Sequence, residues 1–182
     1  MRVRQTLPLM WLLSDARNDA GLESALARLP RGSGFVFRHY HLNPKARAER
    51  FRSLAPVARA SAHVVVLSDA AATAREWGAD GIYGAAPRLA GGSGLYRLAT
   101  AHDGDELAAA GRAGADGVFL SPVFATSSHP ETPPLGIHGF HVLAQQSPVP
   151  VIALGGMTKP RAAQLHWPRW GAIDGLVSPH RP

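Results

Sequence analysis

The sequence has no cysteine in its 182 residues. That excludes disulfides and thiolate metal sites, and it makes a cytoplasmic protein the default expectation. Aromatic residues make up only 7% and charged residues only 18% of the chain. No apolar run is long enough for a transmembrane helix. The basic start MRVRQTLPLMWLL lacks a small-residue cleavage site before SDARND, so it reads as a first strand, with a signal peptide as the lesser alternative. Acidic residues are scarce: 13 against 19 Lys and Arg, a formal net charge of +6. Such a balance suits anionic partners. The arginines are scattered, however (Arg2, Arg28, Arg47, Arg75, Arg112, Arg161), with no basic run interleaved with aromatics. The expected partner is a small phosphorylated ligand, with neither nucleic acid nor membrane.

Hydrophobic residues reach 46%, enough for a full core in one domain spanning 1–182. Apolar runs at 7–14, 34–41, 63–68, 81–85, 95–101, 117–123, 149–156 and 174–178 read as strands. Helical stretches fall at 21–29, 45–60, 69–78, 104–114, 138–146 and 159–171, the last interrupted by Pro168. Asp69 is expected to cap the third and Gly78 to end it. Such alternation implies parallel strands with right-handed crossovers. WGADGIYG (77–84), AGADGVFL (113–120) and WGAIDGLV (170–177) share one plan, which is either good helix-to-strand chemistry or a repeated βα unit. Eight units predict an α/β fold of the closed (β/α)8 TIM-barrel type rather than an open sheet. The chain ends four residues past the last predicted strand, so the barrel is expected to be truncated, with no final helix. The outside of strand 8 (Leu176), with Leu165, Trp167 and Trp170 nearby, should then present apolar surface; either the tryptophans fold back past Pro168 and plug the gap within one chain or a second subunit covers it, and a homodimer is the favoured expectation.

Functional groups of such a barrel gather where strands end. Gly155-Gly156 closes strand 7, and Val177-Ser178 closes strand 8. Glycine-freed amides there can cradle a phosphate; a plain tight turn is the simpler alternative, and the position after strands 7 and 8 favours phosphate. The stretch FLSPVFATSSHPETPPLG (119–136) begins as a buried strand and then loses all periodicity. A loop of that length at the catalytic face reads as a mobile cover, including Ser121, Pro122, Ser127 and Ser128, with a rigid Pro-rich loop as the alternative. His102, His129 and His39 are the acid/base candidates, although nine histidines make residue type alone weak. No His-Glu-x-x-His spacing occurs, so no zinc site is expected.

GADGVFLSPVFATSS, PLG and VPVIALGGMT, supported by WLLSDAR and LATAHDGDEL, resemble the thiamine phosphate synthase/TenI family over nearly the whole chain. The resemblance implies a (β/α)8 barrel and an enzyme of thiamine biosynthesis. In the synthase branch, a thiazole phosphate nitrogen attacks a pyrimidine methyl carbon and releases diphosphate, which magnesium neutralises. A sister branch isomerises a thiazole carboxylate phosphate with a His. Carried over by position, Gly155, Gly156, Val177 and Ser178 grip the thiazole phosphate, Thr126 is the loop threonine, and Arg38 is the arginine after strand 2.

The chain also departs from the pattern. Val36 and Tyr40 replace a Gln and a Lys around Arg38, and Ser68-Asp69 replaces an Asn-Asp pair. YGAAPRL has no carboxylate where the synthase has a magnesium ligand, and the region of His129 replaces a loop Lys. Pro122 stands where the isomerase branch has its His, before Val123-Phe124. No tight cofactor is therefore expected; magnesium would bind only weakly or through compensating ligands. Synthase, isomerase and a catalytically degenerate protein that binds thiazole or thiamine phosphate as regulator or carrier all stay open.

Overall fold

The computed structural model describes residues 6–127 and 130–177; Ser128, His129 and Ser178 lie outside the described residues. The short apolar runs form eight strands: β1 Met10–Leu13, β2 Gly34–Phe37, β3 Val64–Leu67, β4 Gly81–Gly84, β5 Tyr96–Ala101, β6 Gly117–Leu120, β7 Val151–Ala153 and β8 Trp170–Ala172. All pair in parallel in sequence order. The barrel closes where β8 meets β1 at Met10–Trp170, Trp11–Gly171 and Leu12–Ala172.

Alternation of side chains along each strand splits the core into two layers. Trp11, Leu13, Val36, Val66, Tyr83, Leu98, Phe119 and Ile152 fill the interior. Leu12, Phe35, Phe37, Val65, Leu67, Val118 and Leu120 face outward onto the helices. Burial on both faces explains why the strands read as continuous apolar runs. Inside, Phe119 packs edge-on against Trp11 at 5.6 Å and Tyr83 at 5.4 Å. A Cβ at Gly34 would run into the Trp11 ring, so only glycine lets that indole fill the barrel's floor.

The helices are α1 Leu22–Arg28, α2 Pro44–Ala60, α3 Ala71–Trp77, α4 Gly104–Arg112, α5 Gly136–Gln146 and α6 Lys159–Leu165. Asn43, Asp103 and Thr158 accept hydrogen bonds from the first-turn amides of α2, α4 and α6. Asp69 is not the cap of α3; that position is Ala70, while the Asp69 carboxylate takes the Ala70 amide and pairs with Arg47. Gly78 ends α3 in the left-handed region, as its sequence context predicts.

Strand 8 requires a correction. It is Trp170–Ala172, not 174–178, and residues 173–177 form bends and turns. α6 ends at Leu165 because His166 turns left-handed at φ 52. Trp167 then folds back, donating Nε1–H to the Val151 carbonyl at 2.9 Å. Trp170 enters the sheet with only 8% exposure, and Ala172 has 3%. Both join the outer apolar layer, against which Trp167, Leu176 and Val177 pack. The outside of β8 is thus covered within the chain, which removes the stated reason for expecting a dimer. Among the described residues, the large apolar side chains that are exposed, Leu9, Tyr40 and Val142, do not lie on β8.

Candidate functional site

A cavity of about 570 Å³ opens at the C-terminal ends of the strands. Its wall is built from residues at or after the ends of β2 to β8. β2 leads to Arg38 and Tyr40, β3 to Ser68, and β4 to Gly84, Ala85 and Arg88; Thr100 and His102 come from β5 and its end. Ser121, Pro122, Ala125, Thr126, Ser127 and Thr132 come from the segment after β6, and Leu154 to Thr158 with Arg161 from the end of β7. Ile173, Asp174 and Gly175 complete the ring after β8. Tyr83 and Ala172 also contribute, from within β4 and β8.

Gly155 and Gly156 adopt φ of 97° and 60°, which glycine reaches without strain. Their carbonyls are occupied, since Gly155 accepts from the Phe124 amide at 3.1 Å and Gly156 from Arg161 Nη1 at 2.6 Å. Among the described residues, their N–H groups have no protein acceptor. Arg161 also lies over the Phe124 ring at 5.0 Å. This corner therefore offers two turned amides beside a fixed guanidinium, a suitable anion cradle. Val177, assigned to the same grip by sequence, is placed elsewhere. It does not line the cavity; its carbonyl accepts from Arg28 at 3.4 Å and its side chain packs by Gly21. Asp174 and Gly175 stand on the cavity wall instead. They were missed because WGAIDGLV was aligned with the other two repeats.

The start of the loop after β6 is not loose. Pro122 and Val123 are buried. The Val123 and Phe124 amides bond to the Leu154 and Gly155 carbonyls at 2.9 and 3.1 Å. The Leu135 and Gly136 amides return to the Pro122 and Val123 carbonyls at 2.9 and 3.0 Å. The assignment of Ser121 and Pro122 to a mobile cover is therefore corrected: they continue the barrel wall. Ser127, further out, is exposed and accepts from Arg17 at 2.7 Å.

Of the three histidines, His102 stands on the cavity wall with its side chain half exposed. Its Nδ1–H donates to Glu106 Oε2 at 2.9 Å, which leaves Nε2 as the free ring nitrogen of the neutral form. His39 is fully buried, held by Ser14 Oγ and Asp19 Oδ1 at 2.8 Å each, and does not line the cavity. It is corrected from acid/base candidate to internal support. His129 lies outside the described residues. Burial pushes the Tyr83 phenol up to about 12, so it faces the cavity protonated.

The magnesium implied by the resemblance does not fit these donors. Asp174 is the one carboxylate in the wall among the described residues, and it pairs with Arg17 at 3.3 Å. Asp69 is drawn away to Arg47 at 2.6 Å. Burial alone would raise the Asp69 pKa, but the Ala70 amide and Arg47 outweigh it and hold the group below its ordinary value. Asp19, His39 and His41 bring ligand atoms within 4.8 Å of one another. Yet Asp19 already receives Arg50 at 2.7 Å, and both His39 nitrogens are engaged.

The fold and the cavity define a (β/α)8 barrel with an open cavity at the C-terminal ends of its strands. Residues 12–169 match the TMP-TENI family model, described as thiamine monophosphate synthase, and the chain belongs to that family. The thiamine-phosphate synthase of Methanoregula boonei is 30% identical over 169 residues, covering 86% of this chain and 78% of that one. The thiamine-phosphate synthase of Chloroflexus aurantiacus is 29% identical over 150 residues, covering 78% and 67%. An Aquifex aeolicus relative is 42% identical over 59 residues, a stretch spanning 32% of each chain. The solved thiamine phosphate pyrophosphorylase of Pyrococcus furiosus superposes with a TM-score of 0.80 at 19% identity, covering 98% of this chain and 91% of that one, which speaks for the fold alone. No helix among the described residues is long and apolar enough to cross a membrane.

Proposed function

We propose that the protein is a thiamine-biosynthesis enzyme that joins a thiazole phosphate to a pyrimidine methyl diphosphate. The observation that carries this reading is a cavity with cations at two ends. Gly155, Gly156 and Arg161 stand at the β7 side. Arg38 and Arg88 stand at the β2–β4 side, across an eight-stranded ring. Two phosphorylated substrates need two such ends, with their reacting atoms between. The attacking thiazole nitrogen forms the new carbon–nitrogen bond as the bond from carbon to diphosphate oxygen breaks, and the diphosphate leaves with both electrons. The protein's contribution is orientation and charge neutralisation. The isomerase reading has less support, because Pro122 stands where that branch has its His, directly before Val123-Phe124. A cytoplasmic location suits a chain without cysteine.

The lack of available carboxylates at the β2–β4 end favours a second reading, a non-catalytic protein that binds thiazole or thiamine phosphate. A turnover assay separates the two. Thiazole phosphate and pyrimidine diphosphate are supplied with and without magnesium, and thiamine phosphate and free diphosphate are measured. Product that scales with protein supports the enzyme. Saturable binding of thiazole phosphate with no product under either condition supports the binder.

A further inference from the structure

We infer that the β2–β4 end of the cavity is an anion site for a diphosphate group that works without a divalent metal, with the Arg88 guanidinium as its principal cation. The inference rests on the two-ended reading of the cavity and adds how one end is neutralised.

Arg88 belongs to the short 3₁₀ turn Ala86–Leu89 that follows β4. Its aliphatic stem lies across Gly84: a Cβ built there would stand 3.2 Å from Arg88 Cδ and 3.4 Å from its Cβ. The missing side chain at 84 thus lets the arginine lie along the strand end and present its head to the cavity. Among the described residues, its side chain has no hydrogen bond or ion pair. Every other charge nearby is already engaged. Asp69 is bound to Arg47 at 2.6 Å, and Asp15 is shared by Arg17 at 2.9 Å and Arg38 at 3.2 Å. Arg38 is fixed by its Nε–H bond to the Ser14 carbonyl at 2.8 Å and is only 13% exposed.

The local donors follow the same logic. The Tyr40 and Ser68 hydroxyls share a bond of 2.6 Å at the rim, and Tyr83 keeps its proton. Hydroxyl donors and planar guanidinium forks bind phosphate oxygens directly. A hard divalent ion would instead need several oxygen ligands, which these residues do not supply. An unpaired cation at a cavity wall, beside neutralised carboxylates, is arranged for an anion.

The test is calorimetric titration of inorganic diphosphate into the protein in excess chelator, then with magnesium, using wild type, Arg88→Ala, Arg88→Lys and Arg161→Ala. Diphosphate should bind in chelator. Arg88→Ala should weaken it roughly tenfold to a hundredfold, as loss of a charge-assisted contact does, with partial recovery in Arg88→Lys. Magnesium should not tighten it. Binding that appears only with magnesium overturns the inference while leaving the two-substrate reading intact. Affinity unchanged in Arg88→Ala but lost in Arg161→Ala also overturns it, placing the anion at the β7 end. Thermal melts of each variant show whether the fold survives.

Discussion

Ser14 Oγ lies 2.8 Å from His39 Nδ1, and both side chains are fully buried. The Arg38 amide donates to the same Ser14 Oγ at 2.7 Å. The hydroxyl proton is therefore directed to Nδ1, and the ring carries its own proton on Nε2, donated to Asp19. Asp19 also receives Arg50 at 2.7 Å. The chain of bonds runs from the cavity's Arg38 inward to α2, and Phe37 stacks on the imidazole at 4.5 Å. His39 itself sits at φ 44, so the surroundings hold it in a conformation that non-glycine residues seldom adopt.

The first prediction concerns pH. Burial holds the His39 pKa below its ordinary 6.5, although Asp19 pulls the other way. Below 6.5 the unfolded chain binds a proton that the folded chain refuses. His39's contribution to stability is therefore complete above 6.5 and is lost as pH falls toward and through the lowered folded value. Burial would raise Asp19, but hydrogen bonds from His39 and Arg50 overcome it, so its contribution stays until pH drops below 3.8. His39→Asn tolerates the left-handed backbone but breaks the relay, and should cost roughly 1–3 kcal/mol near neutral pH. Melting curves near pH 8 and pH 5 check this: the gap between them should shrink in the variant. An equal gap in both proteins contradicts it.

A second prediction concerns Gly156. A bulky side chain on a glycine that lets backbone approach a ligand would ordinarily be expected to block the ligand directly. The structure gives another cause. A Cβ at Gly156 would strike the Ala125 carbonyl and approach Phe124 Cβ at 3.0 Å. Gly156→Val should therefore push the segment after β6 off β7 and strain a positive φ, costing roughly 1–3 kcal/mol. Loss of phosphate affinity should come with a lowered melting temperature. Lost affinity with an unchanged melt would restore the simple blocking account.

The repeated Gly-Ala-Asp turns supply a third. The Asp80 carboxylate accepts the Val65 amide at 2.7 Å, and that of Asp116 accepts the Arg97 amide at 2.9 Å. Each ties a strand's entry to the start of the strand before it. Asp80→Ala should cost about 1–3 kcal/mol by leaving a strand amide without its acceptor, and Asp116→Ala a similar amount. Chemical denaturation measures both, with phosphate binding at the far end of the barrel unchanged.

The same repeats show what the sequence could and could not tell. Gly78 and Gly114 have φ of 70° and 66° and precede their strands, so the fold's alternation was legible from them. WGAIDGLV looks alike, yet its Gly171 pairs with Trp11 inside β8. The resemblance of letters shifted the last strand by four residues, moved Val177 into the site and left Asp174 out. Gly155-Gly156, Arg38, Thr126 and His102 were readable because each follows a strand whose position is fixed by its own apolar run. Arg88 and the Ser14–His39–Asp19 relay were not. Their roles come from packing over Gly84 and from contacts between residues far apart in sequence, which no local pattern records.

The last prediction concerns the barrel's seam. β8 is three residues long and meets β7 through the Ala153–Trp170 pairing. Its hold depends on β1: the Trp170 amide bonds to the Leu9 carbonyl at 3.0 Å, and the indole is buried within the chain. Trp170→Ala removes a large side chain where little else could collapse to fill the space, and should cost about 3–5 kcal/mol. The loss belongs to folding, so the denaturation midpoint should fall while the sedimentation coefficient of the remaining folded protein stays that of wild type. Had this face been an interface between copies, the variant would instead change the mass in solution and leave the midpoint, measured on dilute protein, nearly unmoved. Sedimentation and denaturation of the same two proteins decide between these outcomes.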